Sequence, residues 1–232
     1  MPLSDTLSPL TAIFYPSQCK ICGVRIKKSA DVLCVFCLSD LPHTGFQHFA
    51  ENPAETMFAG RLPIYFAHSE FYFSPQGGIR KLIHELKYKG NRDAGRYLGR
   101  AIGKSLQSSF KTANIHSLIP LPLYPDRQAK RGYNQAAIIC EGINETTGIP
   151  IDVNSIVRKK QTETQTKKHR TDRWKNVCDS FCIIDKSQIS GKNILLVDDV
   201  VTTGATLEAC GSVLIREGGG QIAIATAAIA CK

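Results

Sequence analysis

Ile194-Leu195-Leu196-Val197-Asp198-Asp199-Val200-Val201-Thr202-Thr203-Gly204-Ala205-Thr206-Leu207 decides the fold. Four consecutive aliphatic residues read as a strand buried on both faces, as in parallel sheets. Two adjacent carboxylates follow, then a run of small and hydroxyl-bearing residues. Leu207, Cys210, Val213 and Leu214 recur at helical spacing. Gly218-Gly219-Gly220 ends that helix, and Ile222–Ala228 reads as a further strand. Strand, helix and strand in this order make a βαβ unit, so a parallel sheet flanked by helices is expected.

The chemistry of the loop follows from its position. In open α/β sheets, ligands bind beyond the carboxyl ends of the strands. Thr202, Thr203, Gly204, Ala205 and Thr206 lie there and open the next helix. Backbone N–H groups and the positive end of the helix dipole suit a phosphate. Gly204 permits a positive φ and close approach, and the Thr hydroxyls add donors. Asp198 and Asp199 do not suit phosphate, but they can accept hydrogen bonds from ribose hydroxyls. A solvated strand end with a Thr/Gly turn is the plain alternative, and two Asp alone would favour it. The full run of four apolar residues, two Asp and TTGxT favours the ligand site. No GxxxxGK[ST] pattern is present, so the loop is not of the Walker type.

Upstream, Ile79, Leu82, Ile83 and Leu86 recur at helical spacing, as do Ala94, Leu98, Ala101 and Ile102. Two short aromatic strands are expected before them, at 62–67 and 70–73. Ser117-Leu118-Ile119 reads as a buried strand stopped by Pro120 and Pro122. Asn134 can cap a helix that carries Ala137, Ile138 and Ile143 and ends near Gly148. Residues 1–18 read as a short helix with Leu7, Leu10 and Phe14 on one stripe, ending at Pro16.

Two CxxC pairs, Cys19-Lys20-Ile21-Cys22 and Cys34-Val35-Phe36-Cys37, are separated by a short polar stretch. Each pair puts two thiolates on one tight turn, and two such turns complete a tetrahedral Zn²⁺ site. A redox CxxC opens a helix in a thioredoxin-like βαβ pattern, which does not follow here. With four Cys ligands the site is closed, hence structural. Cys140, Cys178, Cys182, Cys210 and Cys231 read as core residues. A polar, proline-containing linker is expected to run to about Ala59. The predicted units are therefore 1–58, with the N-terminal helix, zinc module and linker, and 59–232, the α/β domain.

The 232 residues are 43% hydrophobic and 21% charged, which fits a soluble domain with a small appendage. The formal net charge of +9 points to an anionic partner, whether phosphorylated small molecule, nucleic acid or membrane surface. No basic leader and no stretch of the roughly 20 apolar residues that span a bilayer is seen, so no membrane insertion and a cytoplasmic location are expected. An odd count of nine cysteines argues against a secreted disulfide scaffold.

Two further segments are basic. Pro120-Leu121-Pro122-Leu123 leaves a strand and enters a loop with Arg127, Lys130 and Arg131, which can face a diphosphate or simply be solvated. Residues 158–176 carry eight Lys or Arg against two acids, with Arg170 and Arg173 among them. They form either a solvated run, a mobile lid over a polyanion, or a strip that tracks a nucleic-acid backbone. Trp174 can stack on a base or anchor the segment.

Taken together, these pieces resemble the ComF family, bacterial competence proteins of phosphoribosyltransferase fold. The resemblance runs through the cysteine module, Ile79-Arg80-Lys81-Leu82-Ile83-His84-Glu85-Leu86-Lys87-Tyr88-Lys89-Gly90, Ile119-Pro120-Leu121-Pro122-Leu123 and Arg131-Gly132-Tyr133-Asn134-Gln135-Ala136. It continues through Thr162-x-x-Gln165, Arg173-x-x-Asn176-Val177 and the loop quoted first. It implies a type I phosphoribosyltransferase-like sheet. Asp198 and Asp199 would hold the ribose hydroxyls of phosphoribosyl diphosphate (PRPP), and Thr202, Thr203, Gly204, Ala205 and Thr206 its 5′-phosphate. Pro120, Leu121, Pro122, Arg127 and Arg131 would belong to the diphosphate loop, and Arg170 and Arg173 to the closing lid. Mg²⁺ would arrive with the diphosphate. Lys168 departs from the family, which commonly has an apolar residue there. The resemblance also implies uptake of transforming DNA, with single-stranded DNA and a competence helicase as partners.

Three readings of function follow. The chain is a DNA-uptake protein with a phosphoribosyl ligand site, an active transferase with an unidentified acceptor, or a zinc-stabilised interaction scaffold with a vestigial pocket. The glutamine-using amidotransferase reaction is not expected, because the chain opens Met1-Pro2 rather than on a Cys nucleophile.

Overall fold

A computed structural model describes residues 18–26, 32–159 and 180–230 of the chain. Helices α1 (Val35–Ser39) and α2 (Pro53–Thr56) precede strand β1 (Ala67–Phe73). Helices α3 (Gly78–Tyr88), α4 (Arg92–Ser105) and α5 (Gln107–Ala113) lead to β2 (Ser117–Pro120). Then come α6 (Pro125–Arg131), α7 (Gln135–Thr147), β3 (Ile156–Arg158) and β4 (Phe181–Ile183). The fold closes with β5 (Ile194–Val201), α8 (Ala205–Arg216) and β6 (Ile222–Ala230).

The order β1-β6-β5-β2 makes a four-stranded sheet, parallel at every pairing. Strands β3 and β4 form a separate antiparallel pair. The aliphatic run of β5 is sandwiched as its composition demands. Leu195 and Val197 pack with α3, α4 and α7 on one face, and Ile194 and Leu196 with α8 on the other. Pro120 sits on β2, an edge strand, where a missing N–H costs no ladder bond.

Helices α4 and α7 approach very closely. Gly95, Gly99 and Gly103 recur every four residues along α4 and face α7. A Cβ on Gly99 would lie 2.0 Å from the Ile139 carbonyl oxygen, and one on Gly142 would lie 2.1 Å from that of Arg96. Ion pairs Arg92–Glu141 at 2.8 Å, Arg96–Glu141 at 3.0 Å and Arg100–Glu145 at 2.8 Å line the exposed seam. Partly solvated pairs of this kind are each worth little. The backbone contact is what sets the crossing.

Several expectations are corrected. The two aromatic strands are one strand, β1. Pro63 and the turn before it keep 62–66 out of it, although the Tyr65 N–H still reaches Ile222 O at 2.7 Å. The supposed linker is packed. Phe46, Ala54 and Phe58 are buried against α8 and the adjoining sheet face. Strand β5 extends past Val197 to Val201 and β6 past Ala228 to Ala230, since the two remain paired to Val201↔Ile229. Arg127 and Arg131 lie on helix α6 rather than on a loop, because Pro125 starts a helical turn. Cys140 and Cys210 are buried, but Cys182 on the short β4 is half-buried. The expected helix at 1–18 falls almost wholly outside the described residues, as do Trp174, Cys178 and Cys231.

Candidate functional site

The carboxyl ends of all four parallel strands share one edge, and the 198–207 loop leaves the sheet there. Asp198 pairs in register with Thr226 of β6, and the Asp199 N–H donates to its Oδ1 at 2.8 Å. Gly204 takes φ 72°, the left-handed conformation its residue type allows, and α8 starts at the next residue. Residues Asp198 and Val200–Leu207 enclose a hollow of about 50 Å³, enough for a small polar group rather than for a ring. The sequence-predicted Asp198, Thr202, Thr203, Gly204, Ala205 and Thr206 are thus brought together. Asp199 points elsewhere and pairs with Lys87 of α3 at 2.8 Å. Lys87 was not singled out from sequence. The pattern Ile79–Gly90 was the available signal, but nothing in it placed Lys87 beside a carboxylate.

The second element of the site is the turn after β2. Its Leu121 N–H donates to Val197 O at 2.8 Å, which fixes the turn beside Asp198. Asn134 holds it from the other side. Its Nδ2 donates to Leu121 O at 3.0 Å, while its Oδ1 accepts from Ala136 N at 2.9 Å and caps α7. Tyr133 donates through its hydroxyl to Leu86 O, and Arg131 donates to Gln135 Oε1 at 2.7 Å. The Arg-Gly-Tyr-Asn-Gln motif therefore fastens α6, α7 and α3 around the turn.

Two larger concavities lie around the turn after β2 and the C-terminal end of α3. One, of about 750 Å³, runs from Pro120, Pro122 and Leu123 past Gln128 and Asn134 to Val157 and Arg158. Arg158 lies 3.8 Å over the Tyr124 ring and 5.1 Å from that of Phe181. The other, of about 450 Å³, is basic and lined by Lys87, Tyr88, Gly90, Arg127, Lys130 and Arg131. Arg170 and Arg173 lie outside the described residues.

Burial, with the Asp199 charge next in weight, pushes the Asp198 carboxyl up to about 8 from its ordinary 3.8. Between those two values the folded chain keeps a proton that the unfolded chain releases. Stability from this group is therefore full below pH 3.8 and is lost as pH rises through about 8. Asp198→Asn, which mimics the protonated acid, should gain on the wild type as pH rises. The Tm difference between them should widen by about 3 °C or more from pH 5 to pH 8.5, equivalent to about 1 kcal/mol in a chain of this size. A constant difference would contradict the assignment.

The four predicted cysteines converge. The Sγ atoms of Cys19, Cys22, Cys34 and Cys37 all lie within 4.8 Å of one another, and Cys22 Sγ is 3.7 Å from Cys34 Sγ. Zn–S bonds of about 2.3 Å in a tetrahedron require S···S edges of roughly 3.8 Å. The donor set and its spacing fit zinc. Cys34 also caps α1, its Sγ accepting from Cys37 N at 3.5 Å.

Residues 129–230 match the phosphoribosyl transferase domain family. Competence protein F of Haemophilus influenzae is 31% identical over 147 residues, covering 62% of this chain and 64% of that protein. Competence protein ComFC of Bacillus subtilis is 36% identical over 145 residues, covering 60% and 55%. This chain is similar to both over that stretch. The DNA utilization protein YhgH of Escherichia coli K12 is a third relative, 25% identical over 149 residues, covering 63% and 65%. The chain thus matches less than two thirds of the length of these relatives. Among solved structures, the glutamine phosphoribosylpyrophosphate amidotransferase of B. subtilis is 16% identical with a TM-score of 0.42, covering 62% of this chain and 30% of that one. The chain combines a parallel sheet flanked by helices, a stretch that matches the phosphoribosyl transferase domain family and a four-cysteine cluster that can hold a metal such as zinc. Among the described residues, no helix is long and apolar enough to cross a membrane.

Proposed function

We propose that this chain binds PRPP or a related phosphoribosyl nucleotide and acts in the uptake or processing of transforming single-stranded DNA. The observation that carries the ligand reading is the hollow at the α8 N-terminus, closed by Thr202–Thr206 and flanked by Asp198. In this reading the 5′-phosphate sits in the hollow, the ribose hydroxyls meet Asp198 and Asp199, and the diphosphate with its Mg²⁺ lies toward Pro120–Pro122, Arg127 and Arg131. Lys87 then supplies a cation that Asp199 gives up as the sugar binds. Arg170 and Arg173 are proposed for the lid. Residues 1–58 act as the zinc-bearing unit and 59–232 as the phosphoribosyltransferase-like unit.

The DNA role rests on the competence names of the relatives and on the net charge of +9. Val35 and Phe36 of α1 are 78% and 85% exposed, which suits the cysteine module to contact a partner protein or a splayed base.

A transferase reading draws on one observation of its own. The cavity of about 750 Å³ beside the turn after β2 has room for an acceptor ring. Its reaction would expel diphosphate from PRPP, catalysed mainly by positioning and charge stabilisation.

Titration calorimetry with PRPP and Mg²⁺ tests the site. The wild type should bind, and above pH 8, where Asp198 is ionised as well as Asp199, Asp198→Asn with Asp199→Asn should weaken binding by about a hundredfold, two lost hydrogen bonds to charged acceptors. Absence of heat from the wild type would sink the proposal. Product analysis with candidate bases then separates transferase from sensor.

A further inference from the structure

The segment from Asn52 to Leu62 packs on the α8 face of the sheet and reaches the phosphate loop there. Asn52 anchors it. Its Oδ1 accepts from Ala54 N at 2.9 Å and Glu55 N at 3.1 Å, and its Nδ2 donates to Ala67 O at 3.0 Å. Phe58 fills the space beside Gly204, where a Cβ would come within 2.8 Å of its ring. Leu62 does the same at Gly211 of α8, at 2.7 Å. Between these two contacts, Arg61 donates to Met57 O at 3.0 Å and to Thr203 O at 3.1 Å, and its other terminal nitrogen pairs with the Glu208 carboxylate.

Glu208 is the key to what Arg61 does there. It lies in the first turn of α8, and its side chain is only 5% exposed. A carboxylate in the first turn favours the helix itself. Left uncompensated, it would also oppose any anion bound at that helix N-terminus, and burial would leave the repulsion poorly screened. Arg61 cancels this charge. It also holds the Thr203 carbonyl, and across a trans peptide the following Gly204 N–H must point the opposite way.

We propose that Arg61 is a positioning residue for the phosphate loop, acting mainly by setting its charge against that of Glu208. The proposal rests on the reading of the hollow as a 5′-phosphate site.

The test is titration of the full zinc-loaded chain with ribose 5-phosphate, for the wild type, Arg61→Ala, Glu208→Gln and the double variant. Arg61→Ala should weaken binding by about tenfold or more, because it takes a cation away from the buried Glu208 carboxylate beside the loop. Adding Glu208→Gln to Arg61→Ala should restore affinity to within about threefold of the wild type, as expected when the lost interaction is a charge cancellation. Recovery supports the proposal, since a purely structural role for Arg61 would leave the double variant as weak as the single. Should Arg61→Ala not fold, Glu208→Gln alone decides. It should tighten ribose 5-phosphate binding, and unchanged or weaker binding overturns the proposal. Equal affinity of wild type and Arg61→Ala also overturns it while leaving the phosphate site standing. No binding by the wild type overturns both.

Discussion

Gly99→Ala should lower the stability of the protein by about 3 kcal/mol, a fall in Tm of roughly 6–12 °C for a chain of this size. The added Cβ would lie 2.0 Å from the Ile139 carbonyl oxygen and 2.9 Å from the Gly142 Cα. These are backbone atoms, so no rotamer change relieves the overlap and α4 must move away from α7. That movement opens the cluster containing Leu98, Ile102, Ile138, Ile139 and Ile143, all of which are buried. Gly95→Ala provides the graded control. Its Cβ would meet Ile138 Cγ2 at 2.6 Å and Leu86 Cδ1 at 2.8 Å, side-chain ends that can give way. Thermal melts should rank Gly99→Ala well below Gly95→Ala. Equal losses would mean that the helix crossing is not set by the glycine contact.

Chelation of the metal should have an effect of similar size. The purified chain should carry one zinc, and its removal should lower Tm by about 10 °C, the result of losing at least about 3 kcal/mol of metal-coupled folding energy. The cysteine turns are not an isolated bead. Cys19, Val32, Leu33 and Leu41 belong to the same buried cluster as Phe71, Ile79 and Leu82. Ile21 packs on Gly78 at the start of α3, and its carbonyl accepts from Lys81 Nζ at 3.0 Å. Without the metal, no bond holds the four sulfurs within 4.8 Å of one another, and the first turn would pull away from α3. Melting curves with and without chelator, paired with metal analysis, check this. A metal-free protein with an unchanged Tm would refute the zinc reading of Cys19, Cys22, Cys34 and Cys37.

The parts legible from sequence share a local cause. The β5–α8–β6 unit announces itself because a doubly buried strand must be continuously apolar and its helix must repeat every three to four residues. The cysteine quartet is equally plain, since metal ligation fixes residue type and spacing. The Asn134 cap and the Ile79–Leu86 stripe are local in the same way, and α3 and α7 follow them.

What escaped depends on contacts between distant segments. Gly95, Gly99, Gly103 and Gly142 look like weak helix residues until α7 lies against α4. Phe58 looks like part of a linker and Leu62 like the start of a strand until α8 lies beneath them. Lys87 looks like any surface lysine until β5 brings Asp199 within 2.8 Å. The basic residues Arg127 and Arg131 were found, but their place on a helix was missed, because charge reports composition rather than backbone geometry. Arg-Gly-Tyr-Asn-Gln was recognisable as a pattern. Its work in tying Leu121, Leu86 and α7 together needed the fold.

A crystal structure of the zinc-loaded chain with PRPP and Mg²⁺ tests the central claim most directly. The account predicts the 5′-phosphate in the hollow at the α8 N-terminus, within hydrogen-bond reach of Thr203–Thr206, with the ribose hydroxyls on Asp198 and Asp199 and Lys87 released from Asp199. A phosphoribosyl group held instead in the basic cleft of Lys87, Arg127 and Arg131, with the hollow empty, would contradict it.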